Sequence, residues 1–131
     1  MGQRLHAINN PDWNYEKRDV RLGATRQLLV RVMIGKIDDE KRLLEIFEKV
    51  PIRADSDPDW NCVIWVKEAL EALGRDDQAL KSGVTDWIRV RDSAMTYCQQ
   101  KRDDRRWDRP DDFDMTKAPT YDLLKDKEMI P

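Results

Sequence analysis

The alternation of apolar and polar residues predicts a β-hairpin at the start of the chain. Residues 4–9 and 13–20 each alternate between the two kinds of side chain, and Asn10-Pro11-Asp12 between them is typical of a turn. The apolar, β-branched run from Gln27 to Ile37 predicts a central strand, with alternate residues from Arg26 to Ile34 facing the core. We therefore expect a short antiparallel sheet of three strands.

Three later segments repeat apolar residues at the spacing of an α-helix. The predicted helices are Glu40 to Val50, Cys62 to Leu73, and a third from Ser82 or Thr85 into the charged run 99–106. Asp38 or Asp39 is expected to cap the first, Asp57, Asp59 or Asn61 the second, and Gly74 is expected to end the second. Residues 78–82 between the last two helices are expected to form a short helical turn.

The pattern changes from Trp107 onwards, where proline and aspartate interrupt the apolar residues. This predicts a tail without regular structure, held to the body by large apolar anchors. These anchors are Trp107, Phe113, Met115, Tyr121, Leu123 and Leu124. The expected architecture is α+β, a short antiparallel sheet packed against about three helices, with a single domain over residues 1–106 and a packed C-terminal tail over 107–131.

Composition and charge argue against several kinds of binding partner and cofactor. The net charge of −2 over 131 residues gives no broad attraction to nucleic acid or to an anionic membrane. No apolar run approaches the roughly 20 residues of a membrane span, and the N-terminus lacks the apolar region of a signal peptide. We expect a cytoplasmic protein without a membrane or nucleic-acid partner. One histidine and no cysteine pair at ligand spacing argue against a zinc site, and no cofactor is expected.

Cys62 is the strongest candidate for a chemically reactive residue. It falls in the first turn of a predicted helix, where the positive end of the helix dipole favours a thiolate. His6 is the only histidine and therefore the only imidazole available as its base. Cys62 and His6 are thus the candidate catalytic pair. The alternative is that Cys62 is a small buried hydrophobic residue, as free cysteines often are.

The chain is rich in tryptophan, with five in 131 residues. Large side chains near the predicted hairpin and helices are candidates to line a pocket for a small hydrophobic molecule. They are Trp13, Tyr15, Met33, Trp60, Trp65 and Trp87. Such side chains, Trp60 and Trp65 among them, are more often part of a hydrophobic core than of a pocket wall, or they form the interface of a homo-oligomer, and the sequence leaves these alternatives open.

Several segments together resemble a group of small fungal proteins of uncharacterised function. They are Leu28 to Lys36, Val50-Pro51-Ile52, Trp60-Asn61-Cys62 with Trp65-Val66 and Ala69-Leu70, Val84 to Trp87, and Phe113-Asp114-Met115. More remotely, a histidine-bearing strand followed by an Asn-Cys helix start is similar to the permuted papain-like superfamily, which includes lecithin:retinol acyltransferase and the NlpC-like peptidases. That resemblance implies acyl transfer through a thioester on Cys62, with His6 as base, in a truncated papain-like layout. It also implies that a strand preceding His6 is missing, which leaves a sheet edge for a homodimer.

The sequence therefore supports three functions. The first is a small-molecule-binding protein with an aromatic-lined pocket, by analogy a non-covalent cyclase or isomerase of fungal secondary metabolism. The second is a thiol-dependent acyl hydrolase or transferase that uses Cys62 and His6. The third is a homo-oligomeric interaction module that pairs through a sheet edge.

Overall fold

The computed structural model describes residues 2–20 and 28–131, which contain both helices and strands. The elements are β1 (Gly2–Asn9), β2 (Trp13–Val20), β3 (Arg31–Met33), β4 (Gly35–Ile37), α1 (Glu40–Glu48), α2 (Cys62–Asp76), β5 (Leu80–Gly83), α3 (Trp87–Asp103), a 3₁₀ turn (Arg106–Asp108), β6 (Thr120–Asp122) and β7 (Lys127–Ile130). This mixture confirms the predicted α+β class. The chain divides into two compact units, which we describe separately. Unit 1 is Met1–Leu22 with Lys36–Lys81, and unit 2 is Gly23–Gly35 with Ser82–Pro131.

The predicted hairpin is present in unit 1. β1 and β2 pair antiparallel along their full length, with Gly2 opposite Val20 and Asn9 opposite Trp13. Successive residues of a strand point to opposite faces, so the hairpin has two distinct surfaces. Ala7, which is opposite Tyr15, is buried and belongs to the core of unit 1. The face that carries these two residues is therefore the packed face of the hairpin.

Both helices of unit 1 start where a polar side chain can accept the first backbone N–H groups. The Asp39 carboxylate accepts from the Arg42 amide at 3.0 Å and caps α1, as the sequence predicts. The Asn61 side chain accepts from the amides of Val63 and Ile64 at 2.9 and 3.1 Å and caps α2. Of the three candidates for the second cap, the structure therefore selects Asn61.

The prediction that Gly74 ends the second helix is wrong. α2 continues to Asp76, and the left-handed position falls on Asp77, with a φ of 57°. The Asp77 N–H donates to the Leu73 carbonyl, which closes the helix. Aspartate tolerates this conformation better than most residues, so the helix passes through the glycine without needing it as a cap.

Two hydrophobic clusters hold unit 1 together. The first contains Ala7, Val50, Trp60, Trp65 and Ala69. The second contains Leu43, Leu73 and Ala79. Phe47 of α1 packs against both clusters. Because the buried residues of α2 recur at helical spacing, one face of this helix serves both clusters.

The single central strand predicted up to Ile37 is wrong. The described part of this segment contains two short strands that belong to different sheets; Gln27 and the residues just before it lie outside the described residues. β3 pairs in parallel with β6, and β4 pairs with β5. The three-stranded sheet of the structure is β3-β6-β7, and the hairpin stays a separate two-stranded sheet. Distant pairing partners, which the local pattern does not reveal, decide this arrangement.

The prediction of a helical turn at residues 78–82 is also wrong, because this segment is extended and bonds partly to residues distant in sequence. The Asp76 side chain accepts from the amides of Gln78 and Ala79 and turns the chain out of α2. The Ala79 carbonyl then accepts from the amides of Asp38 and Asp39. β5 follows as an extended segment. The third helix begins later than predicted, at Trp87 with Asp86 as its cap.

The C-terminal segment has regular structure, so the prediction of an irregular tail is wrong. β6 lies between β3 and β7, and the Leu123 amide donates to the Met33 carbonyl at 3.0 Å. The turn between β6 and β7 forms around the buried Asp122, whose carboxylate accepts from the amides of Leu124 and Lys125. β6 forms its hydrogen bonds on one side with β3, which is distant in sequence. No local pattern in the sequence indicates this pairing.

Arg106 organises the chain that follows α3 in unit 2. Its guanidinium is 1% exposed and lies 4.7 Å from the centre of the Phe113 ring. It donates hydrogen bonds to the sulfur of Met115 and to carbonyl oxygens of Asp114, Lys117 and Pro131, at 3.0–3.2 Å. A buried charge is tolerable when its donors are satisfied in this way. One side chain therefore fixes the path of three separate points of the C-terminal segment.

Replacing Arg106 by methionine is expected to destabilise unit 2 by about 3 kcal/mol, because the hydrogen bonds from a buried guanidinium to three carbonyl oxygens are lost. Urea denaturation followed by circular dichroism measures this. Arg105→Met is the matched control, since Arg105 is largely exposed and its ion pair with Asp108 is long, at 3.6 Å. Equal midpoints for the two variants would show that Arg106 does not hold this segment.

Candidate functional site

The aromatic side chains of unit 1 form a contiguous group, which we call the aromatic cluster: Trp13, Tyr15, Phe47, Trp60 and Trp65. Trp13 meets Trp60 edge to face, with ring centres 5.3 Å apart and planes at 85°. Trp65 meets Tyr15 and Phe47, each at 5.9 Å. These separations are within the range of favourable aromatic pairs. β2, α1, the loop before α2 and α2 itself all contribute to the cluster.

Three polar atoms in this cluster are buried without a partner. Tyr15 Oη, Trp60 Nε1 and Trp65 Nε1 have no hydrogen-bond partner among residues 2–20 and 28–131. Trp60 and Trp65 are 5% and 2% exposed. A buried polar group without a partner costs about 1–3 kcal/mol, and such groups are uncommon in folded proteins. Their concentration in one cluster marks it as a candidate site for a ligand.

A groove borders the aromatic cluster. It has a volume of about 630 Å³ and is lined by Asn9, Pro11, Asp12, Trp13, Ile52, Ala54 and Asp55. Trp13, Ile52 and Ala54 also pack directly against the buried residues of the cluster. The floor of the groove is therefore the outer layer of the cluster, and carboxylates stand at its edge.

The Tyr15 hydroxyl is held in its protonated form. Burial raises the pKa of this phenol, and the nearby Glu48 carboxylate raises it further. Tyr15 thus keeps its proton at neutral pH and can donate or accept a hydrogen bond.

The structure brings together four of the six side chains that the sequence proposed for a pocket: Trp13, Tyr15, Trp60 and Trp65. Met33 lies in β3 and Trp87 opens α3, so both belong to unit 2 and neither is a member of the aromatic cluster. Phe47, which falls within the predicted first helix, is a cluster member that was not among the six proposed pocket residues. Its spacing of four from Leu43 signals burial, but nothing local signals contact with Trp65.

Cys62 is exposed at the first position of α2. The Asn61 side chain already accepts the amide hydrogens of Val63 and Ile64. These N–H groups are the ones that a helix start would offer to an oxyanion. The cap therefore engages two of the amides that acyl transfer at Cys62 would need as oxyanion donors.

His6 lies on the other face of the hairpin from Ala7 and Tyr15, since it is adjacent to Ala7 in β1. There it faces Glu16 across the strands, with His6 Nε2 and Glu16 Oε1 2.9 Å apart. This hydrogen bond lowers the pKa of the Glu16 carboxyl. α2 packs through Trp65 and Ala69 on the face that carries Ala7. The hairpin therefore separates His6 from the helix that Cys62 opens.

The described residues contain no group of three or more histidine, cysteine, aspartate or glutamate side chains arranged to hold a metal ion. Within the same residues, none of the helices combines the length and the apolar character needed to cross a bilayer.

The fold and the site define a small α+β protein in which a groove with acidic edges adjoins a buried aromatic cluster. The model of a family of unknown function, DUF6914, matches residues 1–130, and the chain belongs to that family. Comparison with curated proteins gave no match. Comparison with solved structures gave none either.

The separation of His6 from Cys62 predicts that the two side chains are chemically independent. His6→Gln is expected to leave the rate of Cys62 alkylation by iodoacetamide at neutral pH unchanged within about twofold, because no imidazole contacts the thiol. Mass spectrometry of the labelled peptide measures the rate, with the half-buried Cys98 as the internal reference. A large fall in the Cys62 rate alone would show that His6 activates this cysteine.

The unpartnered indole N–H groups predict a specific spectrum. The five tryptophans give five indole signals in a ¹H–¹⁵N correlation spectrum. Those of Trp60 and Trp65 are expected at high field and slow to exchange with solvent, since they are buried without an acceptor. Tryptophan-to-phenylalanine variants assign the signals. Low-field positions for both would show that an acceptor already occupies these donors.

Proposed function

We propose that unit 1 binds a small organic molecule in the groove, with the aromatic cluster as the inner wall of the site. The observation that carries this proposal is the set of three unpartnered polar atoms, Tyr15 Oη, Trp60 Nε1 and Trp65 Nε1, in one apolar cluster. Binding sites for small molecules commonly combine apolar and aromatic walls with a few placed polar groups.

The energetics of the cluster favour a ligand over a purely structural role. A core that only had to be stable is better served by phenylalanine or leucine at these positions, because apolar groups avoid the cost of unpaired donors. A ligand that accepts a hydrogen bond from these atoms recovers that cost on binding. The stability that unit 1 gives up in the free state thus becomes affinity in the bound state.

The groove supplies a route to the buried donors. Its volume, about 630 Å³, is within the range of small-molecule sites. Trp13 is half-buried, lines the groove and meets Trp60 edge to face. In this proposal, a change in the Trp13 side-chain rotamer opens the way from the groove to Trp60. Trp13 is therefore the residue that we assign as the gate of the site.

The finer parts of the functional hypothesis are proposals that rest on analogy. Conversion of the bound molecule by a non-covalent cyclase or isomerase reaction needs only restraint and a few hydrogen bonds, which the cluster can supply. A setting in fungal secondary metabolism, a cytoplasmic location and a homodimer through the hairpin edge stay predictions from the sequence. The positions of Cys62 and His6 do not favour the thiol-dependent alternative.

Nile red, an uncharged dye whose emission rises in apolar surroundings, tests the proposed site. We expect one dye molecule per chain, with binding weakened about tenfold by Trp13→Ala, because the ring forms the wall between groove and cluster. Ala54→Trp is expected to block the groove, which Ala54 lines. Fluorescence titration measures both effects, and circular dichroism confirms that each variant is folded.

Trp87→Phe is the matched control, since Trp87 lies in unit 2 and outside the cluster. This variant is expected to bind Nile red as the unmodified protein does. Equal weakening by Trp87→Phe and Trp13→Ala, or undiminished binding by Ala54→Trp, would contradict the proposed site.

A further inference from the structure

We infer that the ligand of the unit 1 site is an uncharged, mainly apolar organic molecule with a carbonyl oxygen, such as a ketone, lactone or quinone. This oxygen accepts hydrogen bonds from the buried aromatic donors. This inference rests on the proposed function and specifies its substrate class.

The donor set determines which end of the ligand is buried. An indole N–H can donate but cannot accept, so Trp60 and Trp65 require an acceptor. The Tyr15 hydroxyl, whose pKa is raised, keeps its proton and adds a third donor. An ammonium group, which only donates, cannot satisfy the indole N–H groups of Trp60 and Trp65. A carbonyl oxygen has two lone pairs and can accept from two of the three donors at once.

The surroundings of these donors exclude a net charge on the buried end. The hydrophobic residues that form the cluster or pack against it are Ala7, Trp13, Tyr15, Phe47, Val50, Ile52, Ala54, Trp60, Ile64, Trp65 and Ala69, and the charged group that acts on the Tyr15 hydroxyl is the Glu48 carboxylate. A carboxylate or phosphate placed among these side chains pays a large desolvation cost, and Glu48 repels it. The acceptor must therefore be a neutral oxygen.

The edge of the groove excludes anions independently. Asp12 and Asp55 line it, and among residues 2–20 and 28–131 neither carboxylate forms an ion pair. Among the described residues, the lining contains no lysine, arginine or histidine. Negative potential at the entrance repels an anionic ligand before it reaches the cluster. The same carboxylates can accept hydrogen bonds from hydroxyl groups on the outer end of a neutral ligand.

Three probes of nearly equal size test the inference: 1-indanone, indane and indane-1-carboxylate. The first two differ only by a carbonyl in place of a methylene, and the third carries a negative charge. Each is titrated into protein labelled with ¹⁵N at the tryptophan side chains, and the indole signals of Trp60 and Trp65 are followed. The same titrations are made with Tyr15→Phe, which removes one donor and preserves the ring.

We expect 1-indanone to bind at least about fivefold more tightly than indane, the typical worth of one hydrogen bond, and to move the Trp60 or Trp65 indole proton to lower field. Indane is expected to bind weakly without this low-field shift, and indane-1-carboxylate not to bind. In Tyr15→Phe the preference for 1-indanone over indane is expected to fall, while the free protein becomes no less stable, since an unpartnered hydroxyl has been removed.

The outcomes separate the two proposals. Equal affinity for 1-indanone and indane, or tightest binding of the carboxylate, overturns the substrate class and leaves the binding site intact. If none of the three probes moves the Trp60 or Trp65 signals of the unmodified protein, the binding site itself is overturned. An unchanged preference for 1-indanone in Tyr15→Phe removes the phenol from the donor set and restricts the inference to the indoles.

Discussion

Unit 1 depends on the burial of one side chain, Trp65. Its ring contacts Tyr15 of β2 on one side and Phe47 of α1 on another, while its own backbone lies in α2. A two-stranded hairpin is only marginally stable by itself in water, and helices of this length are too. Each element of unit 1 is therefore stable only because it shares the apolar surface around this ring. The cluster that holds the fold together is the same cluster that carries the unpartnered donors.

Unit 2 solves a related problem with a different interaction. Its C-terminal segment carries large apolar residues, and Arg106 adds a polar anchor by donating hydrogen bonds to the carbonyl oxygens of Asp114, Lys117 and Pro131. The Lys101–Glu128 ion pair and the hydrogen bond from the Tyr97 hydroxyl to Glu128 link α3 to β7 in the same manner. Partial burial and the Glu128 carboxylate both raise the pKa of Tyr97, which keeps this hydroxyl a donor. Unit 1 thus relies on aromatic packing, and unit 2 relies on buried polar side chains whose partners are supplied.

The two units differ in whether their buried polar atoms have hydrogen-bond partners. Buried charged groups in unit 2 find hydrogen-bond partners, so the fold is able to satisfy such groups where they serve stability. In the aromatic cluster, three polar atoms stay unsatisfied beside a groove that reaches their outer layer. Stability given up at a functional site is a known pattern in proteins. The proposed ligand would supply the missing hydrogen-bond partner for these atoms.

The sequence by itself determined the elements whose signals are local. Period-two alternation predicted the hairpin, the spacing of Leu43, Phe47 and Val50 predicted α1, and the apolar repeat from Cys62 predicted α2 but left Asp57, Asp59 and Asn61 open as its cap. The aromatic residues Trp13, Tyr15, Trp60 and Trp65 were recognised as candidates from their type alone. Only the tertiary structure decided that β3 and β4 enter different sheets, that β6 is a central strand in the presumed tail, and that His6 faces away from α2. Pairing between distant strands and the face to which a side chain points depend on long-range contacts, and these leave no periodic trace in the sequence.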